Sequence, residues 1–162
     1  MTSLPTVPLA RVVASARRRG LPHRKLADGT LFIGKDPVVS IRLSPASLGV
    51  RIDLSGPVPP QDVDAARDLM DRLLAAEPAP TISLSHVDEP EGAGSEPGEP
   101  GAPEAPAATG RLYVRIEAVT PVEEGMTDAQ LDAYLVWASA LTDRCATAFE
   151  KALPLTRADE ED

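Results

Sequence analysis

The chain has 162 residues, a one-domain length, and its 43% of hydrophobic residues exclude a wholly disordered protein. Aromatics are only 3%, so the core is aliphatic and a platform for stacking nucleobases would be thin. The formal net charge of -9 is localised: Val87 to Gly110 carries six acids and no Lys or Arg, Arg157 to Asp162 adds four acids and one Arg, and the remainder is neutral. That acidity favours solubility and discourages nucleic-acid binding. A single cysteine, Cys145, rules out an internal disulfide and fits a reducing compartment. Pro5, Pro8 and Arg11 interrupt the N-terminal apolar stretch before a signal peptide could form. No run approaches the roughly 20 apolar residues that span a bilayer. These features predict a soluble cytoplasmic protein with no membrane partner.

In chain order, Thr6 to Arg19 reads as a first helix, with Leu9, Val12, Val13 and Ala16 on one face and Gly20 and Pro22 ending it. "KLADGTLFI" carries Asp28-Gly29, a short hairpin signal. "VVSIRL" sets Val39, Ile41 and Leu43 on one face, and "LGVRIDL" does the same with Leu48, Val50, Ile52 and Leu54. We count three strands in this region. "QDVDAARDLMDRLLAAE" predicts a second helix burying Val63, Ala66, Met70, Leu73 and Leu74, and "TISLSH" a short strand.

The stretch from Val87 to Gly110 holds five prolines, five glycines and six acids. It offers almost no apolar surface to offset the roughly 1–2 kcal/mol of backbone entropy that each ordered residue costs. It reads as a disordered acidic insertion within a hairpin, after which "RLYVRIEAV" resumes as a strand with Leu112, Val114, Ile116 and Ala118 on one face.

"VTPVEEGMTDAQLDAYL" then raises a choice between acid chemistry at Glu123, Glu124, Asp128 and Asp132 and the mere start of a helix. Thr127 and Gln130 have capping-box spacing, Met126 and Leu131 can form a hydrophobic staple, and Gly125 permits the bend. The segment reads as punctuation. The helix it opens should run to about Leu153, burying Leu131, Tyr134, Leu135, Ala138, Thr142, Cys145, Phe149 and Ala152. Trp137 falls at the edge of that stripe, with Val136 and Ala140 on the opposite face.

The expected fold is therefore α+β, a five-stranded mainly antiparallel sheet with three helices on one face, in the order α-β-β-β-α-β-β-α. It forms one domain over residues 6–156, interrupted by the insertion at 87–110 and followed by an acidic tail at 157–162. The strand "VRIEAV", the link "VEEG" and the helix start "MTDAQLDAYL", with the hairpin "LPHRKLADGTLFIG", resemble the YbjN family. These are bacterial proteins described loosely as sensory-transduction regulators, with a fold similar to that of type III secretion chaperones. The resemblance implies a peptide- or protein-binding, chaperone-like or regulatory module and no reaction. Since relatives of the chaperone fold often dimerise, it also implies a homodimer.

The residues offer little chemistry. His23 and His86 are the only histidines, and Cys145 lies on a buried stripe, so no zinc ligand set or nucleophile pair is apparent. "EGAGSEPGEPG" lacks the strand and the Lys of a phosphate-binding loop. No cofactor, metal or catalytic residue is expected. The residues assigned to partner binding are Val136, Trp137 and Ala140 on the last helix and Arg17, Arg18 and Arg19 on the first. In a second reading, those arginines, with Arg24 and Lys25, serve a nucleic-acid-associated regulator.

Overall fold

A computed structural model of the chain describes residues 4–27, 29–34, 38–76, 78–87 and 111–157. The first helix, α1, spans Leu9–Arg18. It begins after Pro8, whose missing N–H costs nothing at a helix start. Thr6 therefore lies outside the helix. Its end is a Schellman closure: Gly20 at φ +65° lets Leu21 N–H reach Ala16 O at 2.9 Å and Gly20 N–H reach Arg17 O at 3.0 Å.

Four strands follow: β1 His23–Lys25, β2 Leu31–Ile33, β3 Val39–Leu43 and β4 Ser47–Ser55. A 3-10 turn at Pro60–Asp62 leads into α2, Val63–Leu74. Then come β5 Thr81–Val87, β6 Arg111–Pro121, α3 Asp128–Ala152 and a two-residue β7, Thr156–Arg157. The sheet order is β1-β2-β3-β4-β6-β5, antiparallel at every junction, with β7 paired to the end of β4.

This corrects the expected sheet of five strands. The hairpin around Gly29 supplies two three-residue strands, where the sequence pattern suggested one segment. β1, His-Arg-Lys, has no apolar alternation and is held by main-chain pairing to β2. With β7 added, the order becomes α-β-β-β-β-α-β-β-α-β. The α+β class and the three helices stand. Of the expected insertion at 87–110 and tail at 157–162, Val87 ends β5 and Arg157 ends β7, and the remainder lies outside the described residues.

One face of the sheet is the core. Leu31, Ile33, Val39, Leu48, Val50, Ile52, Val114 and Ile116 are all buried there, as strict alternation requires. The α3 helix packs over β4 and β6 and α1 packs on α3, while α2 closes the β5 side. The Tyr134 hydroxyl lies within 2.9 Å of Leu48 O and 2.7 Å of Ala118 O, tying α3 to the two central strands. Burial pushes its phenol far above the ordinary range. Two details differ from the expected helix faces. On α2, Leu69 is buried and Leu74 exposed; on α3, Leu141 and Ala146 join the core while Ala152 is exposed.

Candidate functional site

The start of α3 is built as its sequence dictates. Gln130 N–H donates to Thr127 Oγ1 at 3.1 Å, and Thr127 N–H donates to Gln130 Oε1 at 2.8 Å. Asp128 and Asp132 then face α1. Arg11 Nη2 donates to Asp128 Oδ1 at 2.6 Å and Arg18 Nη2 to Asp132 Oδ1 at 2.7 Å, while Ser15 Oγ also donates to Asp132 Oδ1. The hydrogen bond from Arg11 holds the Asp128 carboxyl below its usual range. That from Arg18, then that from Ser15, does the same for Asp132. The same pairing holds the Arg18 guanidinium above its usual value. These carboxylates join two helices.

Of the arginines assigned to a partner, Arg18 and Arg19 are exposed but ion-paired with α3. Arg18 reaches both Asp132 and, at 3.7 Å, Asp128; Arg19 Nε lies 3.9 Å from Asp132 Oδ2. Arg17 is exposed and has no ion pair among the described residues.

The α3 residues have a different setting. Helix α3 buries Leu131, Leu135, Ala138 and Thr142 inward, yet its outer flank remains apolar: Val136 is 47% exposed, Trp137 is 42% exposed and Ala140 is exposed. A helix apolar on both sides is one that expects a second neighbour. Between this flank and the β2–β3 region runs a half-open groove of about 380 Å³. Its floor and walls are Leu21, Pro22, Ile33, Val39 and Leu135, with Val136 and Ala140 along one lip and Ser139 and Asp143 adding polar atoms. Val136 and Ala140 therefore converge on one site. Trp137 does not line the groove; its ring leans on Tyr134, centroids 5.9 Å apart at 42°. Asp132, which anchors Arg18, is one helical turn before Val136, so α1 fixes the helix that forms this lip.

Leu21, Ile33, Val39 and Leu135 were not foreseen as site residues. Each reads in the sequence as core or turn, and only the packing of three segments against α3 leaves them lining an unfilled space. Among the described residues no three His, Cys, Asp or Glu side chains could hold a metal ion. Cys145 is 2% exposed and burial pushes its thiol up, away from the reactive thiolate. No helix among the described residues is long and apolar enough to cross a membrane.

Together, an antiparallel sheet whose described helices pack on one face and a long helix across its central strands define the class: a small α+β domain. The sequence matches no family model and no curated protein. The fold is similar to that of the crystal structure of YbjN from E. coli, a protein described as a candidate transcription regulator. The two share 11% sequence identity and a TM-score of 0.69, over 95% of this chain and 98% of that one. The resemblance read from the strand, link and helix start thus holds for the fold across the chain.

Proposed function

We propose that this is a non-enzymatic protein-binding module, chaperone-like or regulatory, that docks a partner segment along the outer flank of α3. The observation that carries the reading is the apolar groove of about 380 Å³ with Val136 and Ala140 at its lip. A cleft of this size, apolar with a few polar groups at its margin, suits two or three aliphatic or aromatic side chains of an extended or helical peptide. Trp137, one residue along, supplies a large exposed surface of the kind that dominates binding energy at interfaces. A second copy of the chain is one candidate partner for the same flank.

The test is selection from a displayed peptide library, followed by calorimetry on the selected peptides. Selected peptides should carry apolar anchors and lose at least tenfold in affinity to Ala140→Phe, which fills the groove, and to Val136→Asp, with circular dichroism unchanged. Binding that ignores both substitutions would remove the groove from consideration. The reading as a nucleic-acid regulator through Arg17–Arg19 draws no support from these positions, since Arg18 and Arg19 face Asp128 and Asp132.

A further inference from the structure

The sheet has a second face, which no described helix covers. Alternation and register place on it Phe32, Arg42, Arg51, Asp53, Arg115 and Glu117, with the exposed Val38 and Val119 at its margins. Arg42 pairs with Gly49, Arg51 lies two residues on in the same strand, and Arg115 is opposite Asp53, two residues further. The three guanidinium-bearing residues thus step diagonally across β3, β4 and β6, about 8 Å per step from strand spacing and rise.

Two carboxylates do not balance three arginines. Asp53 is shared: Oδ1 accepts from Arg115 Nε at 2.7 Å, and Oδ2 lies 2.9 Å from Arg51 Nε. That second contact is an ion contact only, because the buried Arg51 Nε–H has no hydrogen-bond partner. Glu117 folds over Gly49, where a Cβ would lie 2.5 Å from its Oε1. Arg42 is exposed and has no ion pair among the described residues. Burial lowers the Arg51 pKa; Asp53 and then Glu117 oppose this, while Arg115 and Arg42 add to it. Among the described residues the face carries more positive than negative charge, beside exposed aliphatic side chains.

We propose that this sheet face docks an acidic, extended polypeptide segment of a partner, its carboxylates meeting Arg42 and the Arg51–Arg115 pair and its aliphatic side chains meeting Val38 and Val119. Charge complementarity selects the acidic partner. A peptide is favoured over a single-stranded nucleic acid for two reasons. Asp53 and Glu117 flank the diagonal on either side of its Arg51–Arg115 step, and a phosphodiester, charged at every link, would run beside both, whereas a peptide can set neutral residues there. The Phe32 ring is also already faced by the Arg24 guanidinium, 6.0 Å from its centroid, and is not open for base stacking. The inference stands on a surface separate from the α3 groove.

The experiment is fluorescence anisotropy of a labelled oligo-glutamate titrated with the full chain at low and high salt. Saturable binding at low salt is expected, weakened about tenfold by Arg42→Glu and a few-fold by Arg42→Gln, which is a milder change should the reversal perturb folding. Arg17→Glu, the same charge change on α1, should leave binding unchanged, as should Ala140→Phe in the groove. Absence of binding, equal losses from Arg17→Glu and Arg42→Glu, or Arg42-dependent binding of oligo-thymidylate in place of oligo-glutamate would each overturn the proposal.

Discussion

Arg11 and Asp128 stand 117 residues apart in the chain and 2.6 Å apart in space. The same guanidinium donates to the carbonyls of Pro5 at 3.0 Å and Met126 at 2.8 Å, as well as to that of Thr6. One side chain thus ties the N-terminal segment, α1 and the first turn of α3 together.

Acid should loosen this junction. The carboxyls of Asp128 and Asp132 are held below their ordinary values in the folded chain. A group with a depressed folded pKa stabilises at pH above its unfolded value and loses that contribution as pH falls through the folded one. The melting temperature should stay level from about pH 7 to 5 and drop below about pH 4, near the unfolded carboxyl range. Asp132→Asn should melt lower at neutral pH and show a shallower acid decline, which thermal denaturation across pH would register.

Removing the cap of α3 has a predictable cost. Thr127→Ala should destabilise the protein by about 1 kcal/mol. Gln130→Ala adds less than its single-mutant effect when combined with it, because the two side chains form one reciprocal unit. Urea denaturation of the double-mutant cycle measures this coupling.

Tyr134→Phe removes the hydroxyl that meets Leu48 O and Ala118 O, and should cost about 1–2 kcal/mol. The Tyr134 phenol, raised by burial and then by Glu117, favours its protonated form in the fold. That contribution is complete below the unfolded value of about 10 and is lost only as pH rises beyond it. Phenolate absorbance from Tyr134 should therefore appear together with alkaline unfolding, and its contribution should be missing from the Phe variant.

Two glycines with positive φ should respond differently to alanine. At Gly125, φ is +81° and a Cβ would lie 2.5 Å from Pro5 O and 2.6 Å from Leu4 O, both rigid main chain. At Gly20, φ is +65° and a Cβ meets nothing within 4 Å. Gly20→Ala should cost about 1–2 kcal/mol, the price of the left-handed region alone. Gly125→Ala should cost clearly more and should release the N-terminal segment to proteolysis.

How much of this could be read in advance differs by element. The cap at Thr127 and the buried alternation of β4 and β6 were legible because each is written in neighbouring residues. β1 was not, since three polar residues paired through their main chain leave no side-chain period. The arginines at the end of α1 were visible as a cluster, but the partners of Arg18 and Arg19 lie 110 to 114 residues away, and a charge run does not announce its counter-ions. Val136 and Ala140 were identified from an unspent apolar helix face. The groove needed Leu21, Ile33 and Val39 brought alongside, which only tertiary packing does.

Val87 and Arg111 are register partners at the end of the β5–β6 ladder. Residues 88–110 therefore begin and end at neighbouring positions across one pair of strands. Closure cost grows only logarithmically with loop length, so a longer or shorter connection between these two positions adds little to the cost of closing the ladder. In evolutionary terms this hairpin is an open port, a place where a lineage can acquire or discard a segment without re-solving the core. In the laboratory it is the natural position for a genetically inserted reporter.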